Sequence, residues 1–213
     1  MTQLDLMPAA TTLGDLVRQV PDERLGDPTP CPAYTVGDLV DHVGGLAVAF
    51  TAAAGKDIGE LTSQAPQPDA ARLPADWRTS IPAALVALAT AWRGPAAWTG
   101  MTQAGGVDLP GEVGGLVALD EIVLHGWDLA AAMGRPFDVD PELMNAVHGF
   151  VASFDPDPDA ATRLFGPIVD VPARASLLDR TLGLAGRDPQ WTASAPAPAA
   201  APATASAPAA PRG

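Results

Sequence analysis

Apolar residues recur every three to four positions in one segment after another of this chain, and proline and glycine cut the segments apart. A helix turns once in about 3.6 residues, so side chains at that spacing share one face and can be buried together. Leu13, Leu16, Val17 and Val20 form the first such stripe, and Pro21 ends it. The loop Asp27 to Tyr34 is too rich in proline to be helical, and Thr35 after it is placed as an N-cap with Asp38 as its capping-box partner. That second helix runs to about Ala54. Ile81, Leu85, Leu88, Ala89 and Trp92 mark a third, with Pro82 expected in its first turn, where a missing N–H is harmless. A fourth extends from about Leu116 to Met133 and is stopped by Gly134 and Pro136. Asp140-Pro141-Glu142 opens a fifth, with Leu143, Val147, Phe150, Val151 and Phe154 inward, and a short last helix covers Ser176 to Leu184.

Between these helices, Gly55 to Pro74 is a polar connection, and Gly94 to Gly115, with seven glycines and two prolines, is expected to be irregular. No segment alternates with period two for long enough to define a strand, and only Gly166 to Val171 has an extended character. The fold class is therefore all-α, a helical bundle over residues 1–191, in which sites are built from side chains on facing helices. Residues 192–213 are almost entirely Ala, Pro, Ser and Thr; they have too little apolar surface to offset their chain entropy and are expected to be a disordered tail.

Charge and cysteine usage narrow the function. A net charge of -13 speaks against nucleic-acid binding, which needs clustered Lys and Arg to displace phosphate counterions. The single cysteine, Cys31, allows no intrachain disulfide. The N-terminus lacks the basic and apolar regions of a signal peptide, and no run approaches the roughly 20 apolar residues of a membrane span. A cytoplasmic protein without membrane association, monomer or homodimer, is the expectation.

Ionisable residues inside the apolar stripes carry the chemical signal. Glu121 and His125 stand four apart in Val117 to Ala130, so a helix projects them side by side, and Asp128 continues the same stripe one turn on. His42 sits on the flank of the second helix's apolar face, beside Leu39 and Leu46. Two histidines and a glutamate form a ligand set typical of catalytic zinc, with a fourth position left open, and the same donors suit Ni2+, Fe2+ or Mn2+. Asp128 is a candidate outer-shell acceptor and the nearest candidate general base. The plainer alternative has His42 as a core-edge histidine and Glu121 paired with an arginine across the bundle. His148 lies off the stripe of the fifth helix and is expected at the surface. Cys31, between two prolines, reads as a buried structural thiol, and Trp77, Trp92 and Trp127 as core.

Several segments together resemble a known family. Thr29-Pro-Cys-Pro-Ala-Tyr-Thr-Val36, Leu39-Val-Asp-His42, Asp120-Glu-Ile-Val-Leu-His-Gly-Trp-Asp-Leu-Ala130 and Leu178 to Trp191 are similar to actinobacterial metal-binding proteins related to the N-terminal domain of mycothiol-dependent maleylpyruvate isomerase. The resemblance implies a DinB-like four-helix bundle, places His42, Glu121 and His125 on the family's metal ligands, normally zinc, and points to mycothiol as cosubstrate. The isomerase carries a separate C-terminal domain, whereas only about forty residues separate the fifth helix from the tail here, so the resemblance does not extend to maleylpyruvate as the substrate. The expectation is a metal-dependent, mycothiol-using transferase or isomerase acting on a small electrophile. Its rivals are a non-catalytic metal- or ligand-binding bundle, serving as a sensor or interaction protein, and a structural bundle without metal.

Overall fold

The computed structural model describes residues 3–154 and 164–193. Four helices, α1 (Met7–Arg18), α2 (Val36–Ala54), α3 (Trp77–Ala91) and α4 (Gly111–Ala132), make the bundle. Their main contacts close a ring in which α1 and α2 each pack against both α3 and α4. Two shorter helices, α5 (Pro141–Val151) and α6 (Leu177–Leu184), add a flank: α5 packs on α4, and α6 on α5. The core lies along the ring axis, where Leu13, Val17, Leu39, Leu85, Leu88 and Leu119 are all buried. Trp77, Trp92 and Trp127 are buried too, as expected of core tryptophans. The helix α2 is long and apolar enough, by length and composition, to cross a bilayer, contrary to the sequence expectation; 56% of that window is buried inside the protein.

The start of α2 follows from its first residues. Thr35 accepts a hydrogen bond from the Asp38 backbone N–H at 3.2 Å, and the Asp38 carboxylate accepts from the Thr35 N–H at 3.0 Å, completing the capping box. The Asp38 carboxyl is held below its ordinary value chiefly by the Thr35 hydroxyl, which donates to it at 2.6 Å. Thr35→Ala is expected to cost about 1 kcal/mol, a fall of roughly 2–4 °C in Tm. Because the Asp38 pKa is lower in the folded state, the stability it contributes is present above the model-compound value of 3.8 and lost as pH falls below it. Thermal melts of the wild type and Thr35→Ala between pH 2.5 and 7 check both: the gap between them should narrow at the acid end.

Several expectations are corrected. Gly94 to Gly115 is not wholly irregular: β1 (Met101–Ala104) and β2 (Val107–Pro110) pair as an antiparallel hairpin, with Ala104 opposite Val107. Gly105 and Gly106 form its two-residue turn with φ of +58° and +81°, the conformation such a turn requires and glycine adopts without strain. Four-residue strands with one face on the bundle are too short for alternation to register. The fourth helix begins at Gly111, a turn before the expected start, because its early glycines fit close against the Trp98 region. The third begins at Trp77, so Pro82 lies inside it rather than in the first turn. Phe154 falls beyond the end of α5 and is 43% exposed, stacking on Phe150 and Phe165 instead of entering the core. Gly166 to Val171 forms no strand, although the Val169 N–H donates to the Gly183 carbonyl. The tail expected from Thr192 onward lies almost wholly outside the described residues.

Candidate metal centre

His42 from α2 and Glu121 and His125 from α4 meet where these two helices pack. One donor atom from each lies within 4.8 Å of the other two, close enough for all three to touch a single ion. Both imidazoles are buried, and the Glu121 side chain keeps about a quarter of its surface exposed, 24%. The His125 Nε2 is 3.0 Å from Glu121 Oε2. The His42 and His125 rings meet edge to face at 5.1 Å, and Tyr34 covers them at 5.2 and 6.4 Å.

Each ring is oriented through its other nitrogen. His125 Nδ1 lies 3.0 Å from Asp128 Oδ2, and His42 Nδ1 lies 3.2 Å from the Pro66 carbonyl. With Nδ1–H donating to these oxygens, the Nε2 lone pair of each ring is left for the triad, the arrangement that metal-ligating histidines use. The Pro66 carbonyl is brought there by the loop after α2. Asp38 accepts from the Ala70 N–H at 2.9 Å, and Asp41 from the Asp69 N–H and Arg72 at 3.0 Å each, which fastens that loop along the helix.

Asp128 is wholly buried and held by an arginine that the sequence reading did not single out. Arg187, in the turn after α6, donates from Nε to Asp128 Oδ1 at 3.2 Å and from Nη2 to Oδ2 at 3.1 Å. Its Nη1 donates to the Ala185 carbonyl. The approach depends on Gly186, whose φ is +78° and where a Cβ would come within 2.6 Å of the Gly166 backbone. Among the described residues the plain alternative for Glu121 is thus not realised: Arg187 reaches Asp128, and Glu121 faces a histidine.

Burial disfavours charge on His125, but hydrogen bonds to Asp128 and Glu121 and their negative charges outweigh it and raise its pKa to about 9. For His42, burial and then the neighbouring His125 lower the pKa. Burial also opposes ionisation of Glu121, yet the His125 hydrogen bond and the nearby positive charges win and hold its pKa down. Without metal, His125 therefore contributes stability that is fully present below its model-compound value of 6.5 and lost as pH rises through about 9. An ion must displace that proton. Metal affinity should consequently increase with pH up to about 9, and calorimetric titration of metal into chelator-stripped protein should register proton release; pH-independent affinity would contradict the assigned charge.

The triad opens on a cavity of about 350 Å³ lined by Cys31, Tyr34, Asp120, Leu124, Phe165 and Arg187 among others. Cys31 is half-buried on this wall rather than packed in the core, and burial raises its pKa, so the thiol stays protonated at neutral pH. Thr29 holds the loop that carries it, its hydroxyl lying 2.9 Å from the carbonyls of both Cys31 and Tyr34. Asp120 was also not singled out. It is buried, and burial together with the adjacent Glu121 charge pushes its pKa well above the usual carboxylate range. His148 is half-buried, not at the surface: its Nδ1 meets the Thr181 hydroxyl at 2.9 Å and ties α5 to α6, outside the triad.

The comparisons with known proteins bear on the family of the chain. Residues 6–130 match the family described as the mycothiol maleylpyruvate isomerase N-terminal domain, a stretch that includes His42, Glu121, His125 and Asp128 but not Arg187. Two uncharacterized proteins of Mycobacterium tuberculosis, from strains CDC 1551 / Oshkosh and ATCC 25618 / H37Rv, are each 34% identical over 132 residues. The match covers 60% of this chain and 65% of each relative's length, slightly under two thirds. No solved structure matches at a significant level. The chain belongs to the mycothiol maleylpyruvate isomerase N-terminal domain family.

Proposed function

We propose that His42, Glu121 and His125 hold a divalent ion, most simply Zn2+, and that the protein uses a small-molecule thiol, mycothiol, in a transfer or isomerisation on an electrophilic small molecule. The observation that carries this reading is the convergence of the three donor atoms within 4.8 Å, with both imidazole Nδ1 positions already engaged. Three nitrogen and oxygen donors beside an open cavity fit a zinc site with a free coordination position better than a closed structural site. A bound divalent ion would act there as a Lewis acid and lower the pKa of a thiol that reaches it. Asp128 orients His125 and keeps its Nδ1 proton in place. Because Arg187 and His125 occupy both Asp128 oxygens, we assign this carboxylate positioning rather than proton transfer. Tyr34 and Phe165 supply aromatic surface to the cavity wall. The bundle's setting is taken as cytoplasmic, where such a thiol would be in its reduced form.

Mixing metal-loaded protein with mycothiol and a panel of small electrophiles is the test. Thiol consumption above that of the chelator-stripped protein is the expected result. Metal retained without any turnover would favour the rival reading, a non-catalytic metal- or ligand-binding bundle.

A further inference from the structure

Asp120 precedes Glu121 on α4 and is 3% exposed, and its Oδ1 has no hydrogen-bond partner among the described residues. Buried polar atoms are nearly always satisfied, so an orphaned carboxyl oxygen calls for a physical reason. Arg187, whose positive charge acts on Asp120, does not supply one, since it directs its guanidinium to both oxygens of Asp128 and to the Ala185 carbonyl. Asp120 and Leu124 both line the 350 Å³ cavity, on the helix stripe next to that of Glu121 and His125. A molecule in the cavity that touches the triad therefore lies against the Asp120 side chain, and a turn of that carboxyl would offer it an acceptor lacking a donor.

We propose that Asp120 binds the small molecule that enters this cavity, and that this molecule carries a hydroxyl or N–H donor close to the group directed at the triad. This rests on the thiol-using metal centre proposed above and narrows its substrate class to polar, donor-bearing thiols over alkyl thiols. An oxygen accepts such a donor as a carboxylate or as the carbonyl of a carboxyl group, so the contact forms in either protonation state. The acceptor is costly to the free protein and becomes satisfied only when the ligand arrives, which makes it a source of discrimination: an analogue lacking the donor leaves it unpaired.

Cobalt-loaded protein titrated with 2-mercaptoethanol, N-acetylcysteamine and 1-propanethiol, read by sulfur-to-cobalt charge-transfer absorption, tests this. Comparing wild type with Asp120→Ala cancels the intrinsic differences between the thiols. The preference for the two donor-bearing thiols should shrink about tenfold in Asp120→Ala at unchanged cobalt content, the worth of one buried hydrogen bond. Asp120→Asn, which keeps an acceptor oxygen, should retain most of it. The Tm of metal-free Asp120→Ala should not fall, because nothing in the free protein loses a partner. An unchanged preference in Asp120→Ala, or a fall of several degrees in its Tm, would overturn the assignment by leaving Asp120 with no ligand role or a purely structural one. If none of the thiols perturbs the cobalt spectrum of the wild type, the thiol reading itself fails, and this inference fails with it.

Discussion

His42→Ala is expected to lower the affinity for a divalent ion by on the order of a hundredfold or more, and His125→Ala by at least as much. The reason is stoichiometric: in the proposed site three side chains supply the donors, and removing one leaves two. The two variants differ in what else they disturb. His42→Ala frees only the Pro66 carbonyl, on the loop after α2. His125→Ala also removes a partner from the buried Asp128, which Arg187 still holds. Metal content of protein purified without a His-tag, measured beside far-UV circular dichroism, checks the result. Full metal retention in both variants with native helix content would remove the site.

Arg187→Met is expected to have the largest effect on stability. The guanidinium contacts both oxygens of a carboxylate with no solvent exposure, and methionine replaces its length but not its charge or donors. Removing one member of such a pair costs about 3–5 kcal/mol, mostly through the uncompensated charge left behind, and should lower Tm by about ten degrees. Asp128→Leu in the same background should recover part of that loss, since the buried charge is then gone as well. A double variant no more stable than Arg187→Met would show that the cost arises elsewhere. Metal affinity of Arg187→Met should also fall, by about tenfold or more, because Asp128 would no longer hold the His125 ring in one orientation.

How far the sequence reaches can be seen residue by residue. Glu121, His125 and Asp128 share a stripe because helix geometry puts positions i, i+4 and i+7 on one face, and that holds wherever the helix is packed. Thr35 and Asp38 announce the start of α2 because a capping box is satisfied within four residues. The β1–β2 hairpin escaped detection because its strands are too short for alternation to show, although Gly105-Gly106 was the available turn signal. Pro82 was misplaced because packing of Trp77 extended α3 backwards past the proline. Arg187 could not be assigned because its partner is 59 residues away, across two intervening helices. The orphaned oxygen of Asp120 is likewise a property of its surroundings: the same residue on a solvated helix would be unremarked.

By itself the sequence determined much of the local structure of this protein: which segments are helical, where the capped helices α2 and α5 start, and which ionisable side chains share a face. These depend on interactions within a few residues along the chain. Only the tertiary structure decided that His42 meets Glu121 and His125, that Pro66 and Asp128 engage the two Nδ1 positions, and that a cavity opens on Cys31, Asp120 and Arg187. Those relations join residues tens of positions apart, and they are set by how the helices pack, which no local period along the chain encodes.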